Sequence, residues 1–246
     1  MKLNLEKDGR RYSFQTEKGI DISISMNPKG PRAWYVDPMR IEPVRTEQFL
    51  GSVAEGGAVN FRDVYFNPHG HGTHTENVGH IIDTDFPVIN SISSSHFFAN
   101  LISVELKNQS NDWVVSEESL AGFDLNIEAL IIRTKPNDHS KVQRQYSGTN
   151  FPYLTIGAMQ RIVDAGVQHL LIDLPSVDRE EDGGALAAHH LFWNVPAEPN
   201  FQKTITELIY VPNEIADGMY VLNLQVSNFA NDAAPSRPML FDLEEE

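Results

Sequence analysis

The chain has 246 residues, 41% of them hydrophobic, and a formal net charge of −15. Length and apolar content suffice for one sizeable core, whereas the acidic balance argues against nucleic acid, which demands clustered Lys and Arg. Cysteine is absent, which excludes disulfides, thiolate nucleophiles and Cys-type zinc sites.

The N-terminus, "MKLNLEKDGR", lacks the apolar core of a secretory signal, and no stretch approaches the roughly 18 apolar residues of a membrane helix. A cytoplasmic protein with no membrane partner is expected. Residues 1–25 read as strands: "RYSFQT" alternates, and "GIDISISM" is β-branched and bounded by Gly and Asn-Pro. "PKGPRAWYVDP" (28–38), with three prolines and a glycine, reads as a loop. It presents Trp34 and Tyr35, candidates for lining a substrate pocket or for capping the core. "NLISVELK" and "EALIIRT" read as strands. "YLTIGAMQRIVDAG" carries apolar residues at helical spacing and ends in Gly166, a suitable C-cap. "VQHLLIDLPS" follows as a buried strand entering a turn, and "ITELIYVP" and "GMYVLNLQVSNF" read as further strands. Helix followed at once by strand indicates an α/β layer. The expected fold is a single α/β domain spanning 1–246, with a mixed β-sheet or β-barrel-like core and flanking helices. Residues 242–246, "DLEEE", read as a solvated acidic tail.

One segment stands apart. "NPHGHGTHTENVGH" (67–80) holds four of the nine histidines and one glutamate. Neutral imidazoles and carboxylates are the usual ligands of Zn²⁺ and Mn²⁺. His69, His71, His74, Glu76 and His80 lie within mutual reach, and Gly70, Gly72 and Gly79 let the backbone turn tightly around an ion. In an extended segment positions 74, 76 and 80 share one face, while His69 and His71 need a turn to join them. Thr73 could offer a supporting hydroxyl. Further on, "DREEDGGALAAHH" contains Asp178, Glu180, Glu181, Asp182, His189 and His190. Its acidic run reads as a solvated loop, whereas its His pair is a natural partner for the first cluster. A serine nucleophile is not supported: no Gly-x-Ser-x-Gly elbow is present, and "SISSSHF" (91–97) reads as a Ser-rich turn.

These segments resemble a known family. "HGTHTENVGH" is similar to the His-Gly-Thr-His-x-Asp-x-Pro-x-His signature of the cyclase family of metal-dependent hydrolases, which includes bacterial kynurenine formamidases and isatin hydrolases. "IDIS" (20–23), "IIRT" (131–134), "LIDLPSVD" (171–178), "AAHHLFW" (187–193), "TELI" (206–209) and "APSRP" (234–238) resemble further family segments, in the family's order. The resemblance implies a swivelling β/β/α fold and a divalent metal, Zn or Mn. It implies metal-binding roles for His74, Glu76, His189 and Glu207, with His190 the alternative to His189. It implies a catalytic, proton-carrying role for His80, a small-molecule substrate, and a homodimer or larger homo-oligomer.

The chain also departs from the signature. The family's first His falls at Gly70, so His69 takes that ligand role, with His71 as runner-up. The family Asp is Glu76 and its Pro is Val78, which marks a divergent branch. The implied activity is hydrolysis of a C–N bond in an amide, formamide, lactam or cyclic imide by metal-activated water. The competing reading, motivated by those departures, is a non-catalytic metal- or small-molecule-binding protein of the same fold.

Overall fold

The structure, a computed structural model, describes residues 1–245. Its centre is a nine-stranded mixed sheet. In chain order the strands are β1 (Ile20–Asp21), β2 (His74–Glu76), β3 (His96–Glu105), β4 (Ala129–Lys135), β5 (His169–Ile172), β6 (Thr204–Glu207), β7 (Gly218–Asn223), β8 (Ala233–Pro235) and β9 (Met239–Asp242). They lie in the order β8-β2-β6-β5-β4-β3-β7-β9-β1. The four middle strands β6, β5, β4 and β3 run parallel, and the remaining pairings are antiparallel.

Of the middle strands, β4 and β5 are apolar at both parities because both faces are covered. In β4, Leu130 and Ile132 pack on one face with Leu170, Ile172 and Ile205. Ala129 and Ile131 pack on the other with Leu101 and Leu171. The first face is roofed by two helices, α1 (Ile156–Asp164) and α2 (Ala187–Phe192). Thr155 caps α1 by accepting a hydrogen bond from the Ala158 amide at 3.2 Å, which satisfies one free N–H of the first turn. The helix buries Ala158, Met159 and Ile162 and is closed by Gly166 in the left-handed conformation, φ 79°.

The mixed sheet and flanking helices expected from the sequence are therefore present, with two local differences. "GIDISISM" supplies only β1 and an isolated bridge from Ser23 to Ile209. The acidic end is not a free tail: Glu244–Glu245 pair antiparallel with Ser13 and Tyr12 beside the hairpin Lys2–Lys7/Arg10–Gln15. Unpaired backbone groups on that hairpin's edge accept another strand even though its side chains stay in water. Glu246 lies outside the described residues. Among the described residues no helix is long and apolar enough to cross a membrane.

The register fixes where the chemistry sits. His74 lies opposite Glu207, and Glu76 opposite Ile205. Ile205 belongs to the helix-covered face, so His74, Glu76 and Glu207 continue that face at its β2/β6 end. The Thr75 and Thr206 hydroxyls meet at 2.8 Å on the opposite side.

Candidate metal centre

Each side chain of the cluster arrives on a differently built support. Asn67 folds the loop before β2: its Oδ1 accepts from the amides of His69 (2.9 Å) and Gly70 (3.1 Å). A Cβ at position 70 would lie 2.8 Å from Val36 Cγ2, so a histidine there would have to displace Val36, and Gly72 has φ 101°. His69 enters the cluster instead, with Nδ1 2.9 Å from Glu76 Oε2. His71 does not. Its Nδ1 accepts from the Asn67 amide at 2.8 Å and its Nε2 donates to the Asp37 carbonyl at 2.7 Å. Thr73 also serves the backbone rather than the cluster, donating to the Leu208 carbonyl and accepting from the Ile24 amide.

His74 and Glu76 project from β2. The His74 Nδ1–H donates to the Gly72 carbonyl at 3.0 Å, which leaves Nε2 as a lone pair 3.5 Å from Glu207 Oε2. His80 is not on an extended face with them. Asn77 accepts from the Gly79 amide and starts a short 3₁₀ turn, Val78–His80, which swings the imidazole back so that its Nδ1 lies 3.9 Å from Glu76.

The second segment is also sorted by the structure. Asp178 is buried, unlike its acidic neighbours, and accepts from the amides of Ala188 (2.8 Å) and His189 (3.1 Å) at the start of α2. It also accepts from His189 Nδ1–H at 2.6 Å. That aims His189 Nε2 at Glu76 Oε1 (3.2 Å) and Glu207 Oε1 (3.9 Å). Its neighbour His190, one helix position on, is not among the clustered groups. The acidic run as a solvated loop therefore needs correction at Asp178: helix α2 turns its N-terminal amides onto that carboxylate.

Among the described residues, three overlapping trios have ligand-capable atoms within 4.8 Å of one another: His69/His74/Glu76, His69/His80/Asp232 and Glu76/His80/His189. Asp232, just before β8, is the residue that sequence reasoning missed. His69, Glu76, His80 and His189 line a cavity of about 270 Å³ together with Trp34, Asn67, Ser176, Leu186 and Glu207. Trp34 packs edge-to-face on Phe151. Tyr35 does not line the cavity: it is 68% exposed, and its hydroxyl reaches toward Gly148. Consecutive left-handed residues at Trp34 and Tyr35 (φ 61° and 57°) send the two rings apart.

The electrostatics favour a cation. Burial opposes ionisation of Glu76, but His80, His189 and His69 hold it well below the usual carboxylate range. Burial and the nearby Glu76 charge push Glu207 up. Burial opposes protonation of His69 and His189, yet Asp232 and Glu76 raise the first to about 10, and Asp178 and Glu76 raise the second to about 10. His74 Nε2 and Glu207 Oε1 are buried without a hydrogen-bond partner. Orphaned buried polar atoms are costly. A divalent ion held by His69, His74, Glu76, His189 and Glu207 would satisfy them, so the donor set fits such a metal.

The Cyclase family model matches residues 20–179. The chain belongs to the cyclase family. Solved structures of similar fold include a "predicted metal-dependent hydrolase from Bacillus stearothermophilus", 17% identical with TM-score 0.63, covering 92% of this chain and 98% of that one. An isatin hydrolase bound to the product analogue thioisatinate is 11% identical with TM-score 0.66, covering 92% and 93%. Isatin hydrolase A from Ralstonia solanacearum is 14% identical with TM-score 0.64, covering 91% of each chain. No curated protein matches the sequence significantly. For a cyclase-family chain, the departures at Gly70, Glu76 and Val78 fall inside the matched region. Close packing at Gly70 accounts for the first of them.

Proposed function

We propose that this cyclase-family protein is a metal-dependent hydrolase of a C–N bond in a small amide, formamide, lactam or cyclic imide. The observation that carries this reading is the convergence of His69, Glu76, His80, His189 and Glu207 on one cavity, beside which His74 Nε2 and Glu207 Oε1 are buried without hydrogen-bond partners among the described residues. His69, His74, Glu76, His189 and Glu207 would hold a divalent ion, Zn²⁺ or Mn²⁺. Such an ion lowers the pKa of bound water to about 7 and polarises a carbonyl.

The protein's own groups supply the rest. The Gly72 carbonyl and Asp178 hold His74 and His189 with Nε2 facing the cluster, a role typical of groups behind metal ligands. His80 is 30% exposed at the cavity, with no strand or helix hydrogen bond spent on its ring. Placed there, it takes a proton from the attacking water and returns it to the nitrogen as the C–N bond breaks. Trp34 and Leu186 give the cavity apolar walls, which suit a flat substrate and exclude competing water. The cavity volume favours a substrate of one or two rings.

Turnover of lactams, cyclic imides and aryl formamides by the metal-supplemented protein tests the proposal. His80→Ala is expected to lower kcat by about 10²- to 10⁴-fold while metal content is unchanged. Metal binding with no turnover across the panel would instead favour the non-catalytic reading.

A further inference from the structure

Three imidazoles of the cluster, those of buried His74 and His189 and half-buried His69, are each anchored by one nitrogen, and the anchors differ. His74 and His189 donate from Nδ1, to the Gly72 carbonyl and to Asp178, and turn Nε2 inward. His69 is reversed. Its Nδ1 faces Glu76 Oε2 at 2.9 Å, and its Nε2 faces Asp232 Oδ2 at 2.9 Å. Asp232 is itself fixed, because its carbonyl accepts from the Asn77 amide at 3.1 Å, which ties it to the turn carrying His80. The same carboxylate lies 3.6 Å from His80 Nδ1.

We propose that Asp232 is the positioning residue for His69, accepting from its Nε2–H so that Nδ1 is presented to the metal. This rests on the reading that the cluster binds a divalent ion. The need for it follows from Gly70. A side chain at position 70 would crowd Val36, and the imidazole that reaches the cluster comes instead from the neighbouring loop residue His69, which requires its own anchor. Removal of a carboxylate behind a ligating histidine weakens metal affinity by about 10- to 100-fold.

The test uses the full chain, stripped of metal and titrated with Zn²⁺ against a competing chelator, as wild type, Asp232→Ala and Asp232→Asn. Asp232→Ala is expected to bind the same number of equivalents about 10- to 100-fold more weakly. Asp232→Asn is expected to recover part of that loss, because its amide oxygen still accepts from Nε2–H. Imidazole ¹⁵N spectra of the zinc-loaded wild type are expected to show His69 protonated at Nε2. Should Asp232→Ala fail to fold, Asp232→Asn and the wild-type spectra carry the test. Equal affinity in wild type and variants overturns the inference and leaves the hydrolase reading standing. So does loss of a whole equivalent at unchanged affinity for the rest, which would make Asp232 a ligand. A His69 ring protonated at Nδ1 also overturns it. If the wild type binds no zinc, the hydrolase reading and this inference fall together.

Discussion

Gly70 and its two flanking histidines show how one residue's packing assigns its neighbours' chemistry. With Val36 against the Cα of Gly70, the imidazoles at 69 and 71 diverge, one to the carboxylates and one to the backbone of Asn67 and Asp37. The two therefore differ in what their loss does. His71→Ala removes a buried imidazole and its hydrogen bonds to the Asn67 amide and the Asp37 carbonyl, and is expected to cost about 1–3 kcal/mol of stability with metal content intact. His69→Ala is expected to lose metal affinity with a smaller change in stability. Denaturant titration and metal analysis of both variants check this, and a reversed pattern would return the ligand role to His71. The sequence marked this segment as a candidate metal-ligand cluster, but not which of His69 and His71 faces the carboxylates. That choice depends on Val36, a residue in a different loop. Asp232 was harder still: it lies 163 positions from His69 and reaches it only through the pairing of β8 with β2.

At the level of elements, the strands that the sequence revealed best are those apolar at both parities, since burial on two faces leaves no other pattern. β4 and β5 are of this kind. The short strands β2 and β8 were not legible, because three residues carry no periodicity and their pairing, β8 on β2 and β2 on β6, is set from elsewhere in the chain. Likewise Asp178 looked like its acidic neighbours until the start of α2 covered it. The pairing of β5 with β6 carries a separate titration. Burial lowers the His169 pKa to about 4, while its Nδ1 meets the Thr204 hydroxyl at 2.8 Å and its ring packs on Phe97. The unfolded chain, with an ordinary histidine pKa near 6.5, binds this proton more readily than the folded one. Its contribution to stability is thus complete above about pH 6.5 and is lost as pH falls toward 4, about 3 kcal/mol in all. His169→Gln is expected to lose about 2–3 kcal/mol less than wild type between pH 7.5 and 4.5 in denaturant titrations. Equal losses would mean that His169 is not held neutral by the fold.

For the whole molecule, the site is where three parts of the fold end together: the loop before β2, the β2/β6 edge of the sheet and the start of α2. Each contributes its own anchored imidazole, and none forms the site alone. This explains why the order of motifs along the chain pointed to the family while only the geometry shows which side chains converge. The central claim is that this junction exists to hold a divalent metal. Elemental analysis of the purified, tag-free protein beside His74→Ala tests it most directly. His74 is fully buried and its Nε2 has no hydrogen-bond partner among the described residues. The account predicts about one or two equivalents of Zn or Mn in the wild type and their loss in the variant. A wild type that holds no metal even after reconstitution and dialysis, or a His74→Ala variant that keeps the full complement, would contradict it.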